Sequence, residues 1–329
     1  MGDFFQSIRS LPHNFQSSHL NLFQHELNRQ FKIPLVRNIK WVWIDGNLNF
    51  YLTRSLNFLV HEKQNLRKVD FGFLLKSILL FRFKFIGKRS LCITDNWSQG
   101  YFHWMLDCLP RLLLVPDFEN QKVILAEQLA ANGFVGESLQ LLGVNDVMVL
   151  KPGRQYFFRK FCLPTEITPT GNYYEPLVNK LRAKCAVLPS TPSRKVYVSR
   201  SMTLRRRIEN ESELIDYLLS MGFEIVHCEK LSFNEQRELF SQTKVLVTNH
   251  GAALTNLLFM QEGTKCLELR LAGDALNNCY FSLAAALKID YYYQLCHSAS
   301  ESTDGHLADI SVSIDTLKEL FTTYGFVND

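Results

Sequence analysis

A chain of 329 residues with 47% apolar content is long enough to build two domains with separate cores. Its net charge of +4 does not favour a nucleic-acid binder, and leaves anionic small molecules or a membrane surface as partners. The eight cysteines contain no Cys-x-x-Cys pair and do not cluster with histidines. This pattern argues against a zinc site and a disulfide framework, and favours a reducing compartment.

The N-terminal sequence carries Asp3 early and has no long apolar core, so we expect no secretory signal. No run of eighteen uncharged apolar residues occurs, so we expect no membrane-spanning helix. Together these features predict a cytoplasmic protein.

The first clear element is a β-hairpin over Ile39–Val60, in which alternating aromatic and aliphatic residues flank the tight turn at Asp45-Gly46. The apolar and basic segment Leu66–Lys88 follows. We interpret it as a helix and then a strand; the alternative is an amphipathic element resting on an anionic membrane.

A helix is predicted from Tyr101, with Pro110 kinking or ending it. His103, Asp107 and Arg111 stand at i, i+4 and i+8, so all three are expected near one helix face. They form either a surface ladder or the lining of a cleft. The surrounding apolar residues favour the cleft.

The remaining pattern of the first half is also α/β, and the stretch from Pro189 to Ser193 is typical of a linker. We therefore predict an α/β domain at 1–188 and a second, Rossmann-like domain at 189–300. Residues 301–329 are expected to form a C-terminal helix that packs back on the first domain.

After the linker the pattern is regular. Asn210 and Ser232 are the predicted N-caps of two helices, the second with a capping box through Glu235. Five strands alternating with four helices predict a doubly wound parallel sheet.

A βαβ unit spans Lys244–Arg270, with its turn at Asn249-His250-Gly251. The amino end of the helix predicted from Ala252 would face a phosphorylated ligand. Gly251 would let the backbone approach that ligand and His250 would hydrogen-bond a phosphoryl oxygen. The alternative is an ordinary turn with a structural glycine.

Arginines follow the first strand of the same predicted sheet. Arg200 ends that strand, and Arg205, Arg206 and Arg207 lie in the next loop, where they would clamp a diphosphate or form a solvated basic loop. Glu268, at the end of its strand, is expected to accept hydrogen bonds from a ribose diol.

Five blocks in order across residues 95–270 resemble glycosyltransferase family 61: NWSQGYFHWMLDCLPRL, VYVSR, RRRIENE, LSFNEQ and TNHGAALTNLLFMQEGTKCLEL. The resemblance implies a GT-B fold, with two Rossmann-like domains facing across a cleft. It also implies inverting transfer from a nucleotide sugar without an essential metal or other cofactor. The sequence contains no Asp-x-Asp motif.

The same template assigns roles to individual residues. It implies Asp107 as general base, His103 as the group that positions substrate or leaving phosphate, and Arg111 and Asn249 as further cleft residues. The implied donor-binding residues are Arg200, Arg205, Arg207, His250, Gly251, Ala252, Asn256 and Glu268.

We expect a bacterial-type enzyme of capsule, lipopolysaccharide or other surface-glycan synthesis. Its acceptor would be a glycan or a lipid-linked glycan, with peripheral contact at the inner membrane face through Leu66–Lys88. Two alternatives remain open. The string from His103 to Asp107 also fits the HxxxD motif of acyltransferases, and the chain could be a non-catalytic nucleotide-sugar-binding subunit.

Overall fold

A computed structural model of the chain describes residues 3–51, 66–67, 83–187, 191–298 and 308–326. It is a mixed α/β structure of two compact units. Unit 1 comprises Met1–Phe31 and Gly171–Asp329, and unit 2 comprises Lys32–Thr170. The boundary differs from the predicted one, because the first 31 residues and the helix Glu175–Cys185 belong with the C-terminal half of the chain.

In unit 1, the N-terminal strands β1 (Phe4–Ile8) and β2 (Asn28–Lys32, whose last residue belongs to unit 2) form a small sheet, with helix α1 (Leu20–Phe23) between them. Buried Arg9 ties this segment to the C-terminal half of the chain by donating to Asn172 Oδ1 at 2.9 Å. This contact joins two parts of the sequence that no local pattern connects.

Unit 2 is built on one mixed sheet. Its strands run β5-β4-β3-β10-β7-β8-β9, and β6 also pairs with β10. They are β3 (Val36–Asp45), β4 (Phe50–Tyr51), β5 (Leu66–Arg67), β6 (Phe83–Ile86), β7 (Ser90–Leu91), β8 (Lys122–Ala126), β9 (Val147–Leu150) and β10 (Gln155–Pro164).

The predicted hairpin is confirmed as far as Tyr51, because β3 and β4 pair antiparallel with Ile44 opposite Phe50. Its continuation to Val60 lies outside the described residues. The same holds for most of Leu66–Lys88, of which the structure describes only β5, β6 and the residues after β6.

The helical segment of residues 101–113 contains a π-helical turn. It consists of α2 (Tyr101–His103), the π turn Trp104–Cys108 and α3 (Leu109–Leu113). Leu109 donates its N–H to the carbonyl of Trp104, five residues earlier. Pro110 has no N–H to give to the carbonyl four residues before it, which favours this widened turn. The predicted irregularity near Pro110 is therefore a π turn. Helices α4 (Glu127–Ala130) and α5 (Gly133–Leu141) follow.

Unit 1 contains the predicted doubly wound sheet. Over the described residues its strand order is β12-β11-β13-β14-β15-β16, with parallel pairing from β12 to β15 and an antiparallel last pair. The strands are β11 (Arg194–Val198), β12 (Glu224–Val226), β13 (Thr243–Asn249), β14 (Lys265–Leu271), β15 (Asp290–Ser298) and β16 (Ile310–Ser311).

The helices of unit 1 cover this sheet. They are α6 (Glu175–Cys185), α7 (Glu211–Ser220), α8 (Phe233–Ser241), α9 (Cys279–Leu287) and α10 (Ile314–Thr323). The predicted capping box of Ser232 and Glu235 is confirmed at α8. Asn210 does not cap α7 with its side chain; it bonds the backbone N–H and carbonyl of Val312 instead, and so ties α7 to the chain end.

The C-terminal helix α10 packs within unit 1, not on the first half of the chain as predicted. Fully buried Phe321 lies against Tyr217 and Phe223, in one apolar cluster with Leu214 and Leu317. The apolar residues of α10 recur at helical spacing and form one face of that helix. This face needs an apolar partner, and α7 supplies one. In the described part of the chain, no helix has the length and apolar character needed to span a bilayer.

We expect Phe321→Ala to lower the free energy of unfolding by about 3–5 kcal/mol, because it removes a fully buried ring from the core of unit 1. Urea denaturation measures the change. Glu319→Ala, on the exposed face of the same helix, is the control and should stay within about 0.5 kcal/mol of wild type. A loss below about 1 kcal/mol for Phe321→Ala would show that α10 does not share this core.

Candidate functional site

The first candidate site lies at the carboxyl edge of the parallel sheet of unit 1. Strands β11 and β13 pair in parallel, so the residues after them in the chain, Arg200 and His250-Gly251, emerge at the same edge. We call Arg200, Arg206, Asn249, His250 and Gly251 the Arg200 site. It is the edge at which open α/β sheets bind ligands.

The Arg200 guanidinium lies directly over Gly251. A Cβ added to Gly251 would come within 2.1 Å of Arg200 Nη1. The φ of Gly251 is 169°, an extended conformation open to any residue, so the backbone does not require glycine here. Gly251 lets the guanidinium lie over the backbone, and a side chain at position 251 would push the flexible end of Arg200 aside.

Arg200 and Arg206 bring two positive charges together without a salt bridge to a described residue, although the charge of Glu229 acts on Arg200. Neither makes an ion pair with any described residue, and the buried Nε of each lacks a hydrogen-bond partner. Burial, and then the charge of Arg206, lower the pKa of Arg200. Asp274 lines the same small cavity as Arg206 but bonds Asn277 instead. Such a pair can hold an anion with several oxygens.

Arg206, not Arg205 or Arg207, is the loop arginine that faces this site. The guanidinium of Arg207 pairs with Asp309 at 3.2 Å. The Arg205 side chain is exposed, and it is the Arg205 carbonyl that accepts a 3.5 Å bond from Arg200 Nη2. Arg206 adopts a φ of 55°, and its carbonyl accepts the Asn249 amide, so the backbone turns its side chain away from those of its neighbours.

His250 is held by a buried carboxylate. Its Nδ1 lies 2.5 Å from Glu268 Oε1, and Glu268 Oε2 accepts from the Tyr291 hydroxyl. Burial opposes ionisation of Glu268, but His250, Arg270 and Tyr291 outweigh it and hold its pKa below the ordinary value. Since a carboxylate faces Nδ1, that nitrogen carries the proton, and Nε2 is left to accept or donate at the site.

Two predicted donor-binding residues have structural roles instead. Glu268 is fully buried with both oxygens bonded, so it orients His250 and presents no oxygen to a ribose. Asn256 is also fully buried, and donates to Gln236 Oε1 at 2.9 Å. The helix that contains Asn256, Ala252–Phe259, is a 3₁₀ helix, and its first residue, Ala252, is exposed beside Gly251.

The second candidate site is a His–Asp pair in unit 2. His103 Nδ1 lies 2.8 Å from Asp107 Oδ2, and the Thr170 hydroxyl donates to the same oxygen at 3.3 Å. The side chain of His103 is 24% exposed and that of Asp107 only 9%. We call these two residues the His103 dyad. Asp107 fixes the proton on Nδ1, which leaves the Nε2 lone pair free to take a proton.

This geometry favours an exchange of the roles that the resemblance implied, which were Asp107 as general base and His103 as the positioning group. Asp107 is the buried group that orients, and His103 is the more exposed group that reaches solvent. Arg111 does not share their surface. It is buried and pairs with Asp95 Oδ2 at 2.8 Å, both side chains being at most 3% exposed.

Comparison with known proteins shows the family of the sequence segment in which both sites lie. The family model described as Glycosyltransferase 61 matches residues 101–267, just over half of the chain. The chain belongs to glycosyltransferase family 61. The matched range includes the His103 dyad and every residue of the Arg200 site.

A relative of this family 61 chain is the EGF domain-specific O-linked N-acetylglucosamine transferase of Bos taurus, which is 32% identical over 91 residues. That match covers 26% of this chain and 17% of the relative. The chain therefore shares a short segment with a much longer enzyme.

The described residues of this family 61 chain include no cluster of three or more His, Cys, Asp or Glu side chains arranged to bind a metal ion. The metal-independent reaction implied by the resemblance stays a prediction. At the Arg200 site, Arg200, Arg206 and His250 are the cationic and hydrogen-bonding groups that can meet an anionic ligand.

We expect Asp95→Asn to lower the free energy of unfolding by about 3–5 kcal/mol at pH 7, because it leaves the Arg111 charge buried and unpaired. Burial opposes ionisation of Asp95, but Arg111 and the Trp97 N–H keep its pKa below the ordinary value. Its contribution is therefore complete above about pH 3.9 and is lost as the pH falls through the lower folded-state pKa.

Urea denaturation at several pH values tests this. The difference between wild type and Asp95→Asn should shrink at the acid end of the range. The exposed Asp117→Asn in the same unit is the control. A difference that stays constant with pH would contradict the assignment of a charged Asp95.

Proposed function

We propose that this family 61 chain is an inverting glycosyltransferase, moving a sugar from a nucleotide-sugar donor to an acceptor hydroxyl. The observation that carries the proposal is a pair of cations without an ion-pair partner among the described residues, Arg200 and Arg206, at the carboxyl edge of the parallel sheet. A diphosphate supplies the anionic oxygens that these two guanidinium groups lack. Family membership supports the reaction class.

The donor diphosphate would bind to the Arg200 site. Guanidinium forks match phosphoryl oxygens geometrically, and each hydrogen bond to a charged group contributes about 1.5–3 kcal/mol. His250 Nε2, directed by Glu268, adds a group that can hydrogen-bond a phosphoryl oxygen. As the bond between the anomeric carbon and the phosphate oxygen breaks, negative charge grows on that oxygen. The two arginines stabilise this charge without a metal.

The acceptor hydroxyl would be activated by the His103 dyad. His103 Nε2 takes the hydroxyl proton while the oxygen attacks the anomeric carbon, and Asp107 stabilises the imidazolium that forms. The proton ends on His103 and the leaving electron pair on the nucleoside diphosphate. A single displacement of this kind inverts the anomeric configuration.

The donor sugar and the biological setting extend this proposal. The bovine relative is named as an N-acetylglucosamine transferase, so UDP-N-acetylglucosamine is the first donor to test. We retain as predictions a glycan or lipid-linked acceptor in surface-polysaccharide synthesis and a cytoplasmic location with peripheral membrane contact. The GT-B arrangement that the resemblance implies is part of the same proposal.

The acyltransferase alternative assigns the same roles within the His103 dyad, with histidine as base. It gives no function to Arg200 and Arg206 of unit 1. The non-catalytic alternative accounts for the arginines but not for a partly exposed, carboxylate-oriented His103. Ligand binding and turnover distinguish both alternatives from the proposed transferase.

We expect UDP or GDP to raise the melting temperature of the wild-type protein, and Arg206→Ala to weaken its binding by at least about tenfold, because a charge-assisted contact is lost. Arg207→Ala is the matched control, since Arg207 is adjacent in sequence but already pairs with Asp309. Thermal-shift titrations with UDP, GDP, CMP and CoA measure the rise in melting temperature of wild type and the change in binding of each variant. Stabilisation by CoA alone, or equal effects of the two variants, would contradict the proposed donor site.

Turnover of the nucleotide sugar tests the dyad. We expect His103→Ala to lower kcat by roughly 10²–10⁴-fold while UDP binding is retained, because only proton transfer is lost. Asp107→Asn should also lower kcat, through loss of the oriented tautomer. The measurement is UDP release with acceptor present. Undiminished kcat in His103→Ala would remove His103 as the base, and tight nucleotide binding with no turnover in wild type would support a binding subunit.

A further inference from the structure

Beside the His103 dyad, an indole ring is presented to solvent. The Trp97 side chain is 61% exposed, although tryptophan has the largest side chain of any residue and gains much from burial. Its ring centroid lies 5.9 Å from that of His103, with the planes tilted by 35°. Trp97 and His103 therefore form one continuous surface of unit 2.

The turn that carries Trp97 is firmly held. Asp95 Oδ1 accepts the Trp97 N–H at 2.9 Å and the Ser98 hydroxyl at 3.0 Å. The other oxygen of Asp95 is bound to Arg111 in the buried ion pair. The backbone of the turn that presents the indole is therefore held by a buried charge pair, and does not belong to a loosely attached loop.

Trp41, the other strongly exposed tryptophan in the described part of unit 2, has a different environment. It is 49% exposed and packs against the rings of Phe85 and Phe157, at centroid distances of 6.2 and 5.9 Å. Trp97 has no such neighbours: over the described parts of the chain, its one aromatic contact is with the proposed base. Trp41 therefore covers a sheet, whereas Trp97 is displayed next to a reactive group.

We propose that Trp97 is the platform on which a pyranose ring of the acceptor stacks, so that the acceptor is a carbohydrate and not a protein side chain. The proposal rests on the glycosyltransferase function proposed above. The apolar C–H face of a pyranose matches the flat face of an indole, while its hydroxyls project from the ring edge. This ligand class needs both an apolar surface and a hydrogen-bonding neighbour.

The distances suit this arrangement. A sugar in van der Waals contact with the indole lies about 3.5–4 Å above it. The centroid of the imidazole is 5.9 Å from that of the indole. A sugar stacked on the indole therefore places a hydroxyl of its edge next to the His103 ring. A general base must approach the hydroxyl to about 2.6–3.2 Å, which a tilted neighbouring ring allows. Trp97 thereby selects the acceptor and His103 acts on it.

Binding to a glycan array tests the platform separately from turnover. Labelled wild-type protein, Trp97→Ala, Trp97→Phe and the control Trp41→Ala would be applied to printed bacterial and mammalian oligosaccharides. We expect wild type and Trp41→Ala to bind the same glycans, Trp97→Ala to lose at least about tenfold in signal, and Trp97→Phe to retain part of it, because phenylalanine keeps an aromatic face.

Kinetic measurements add a second readout. With a bound glycan as acceptor, Trp97→Ala should raise the acceptor KM by at least about tenfold with a smaller change in kcat, and the thermal shift with UDP should be unchanged. A structural role alone would lower stability and affect both substrates together.

Three results would overturn the platform: no glycan bound by wild type, equal binding by Trp97→Ala, or transfer to a folded protein domain that is insensitive to Trp97→Ala. These are distinguishable from failure of the donor proposal. If wild type showed no thermal shift with any nucleotide but Trp97→Ala still lost glycan binding, the platform would stand and the proposed transferase function would not.

Discussion

Parallel pairing of β11 with β13, and of β13 with β14, is the constraint on which unit 1 depends. It brings the ends of separate sequence segments to one edge, and there Arg200 comes to lie over Gly251. No local preference of either segment requires this contact. The sheet places two positive charges together at its edge without an ion-pair partner among the described residues, and the proposed donor diphosphate would supply one.

Both units use the same device to prepare a histidine. In each, Nδ1 meets a largely buried carboxylate, Glu268 for His250 and Asp107 for His103, and Nε2 is left for the ligand. A different residue donates a hydrogen bond to each of the two carboxylates. Glu268 is held by Tyr291, whereas Asp107 is held by Thr170. Each acid is more buried than its histidine, so the acids fix the orientation of the rings and the more exposed histidines are the groups proposed to meet substrate.

Where the sequence showed a regular pattern of apolar residues, the prediction of strands and helices was accurate. The alternation of strands and helices in unit 1 and the hairpin start at β3 were both predictable, because their pattern is local. The role of Arg111 was not. Its partner Asp95 lies sixteen residues earlier, in the turn before the helix, and no helical spacing connects the two side chains. All three loop arginines were candidates from the sequence, and only its left-handed backbone distinguishes Arg206 from its neighbours.

The contact between Arg200 and Gly251 also constrains how these two positions evolve. A side chain at position 251 would push the guanidinium aside, and loss of the guanidinium leaves the space over position 251 open. The two positions lie in different strand–helix units, and among descendants of this gene we expect a substitution at one to relax the constraint on the other.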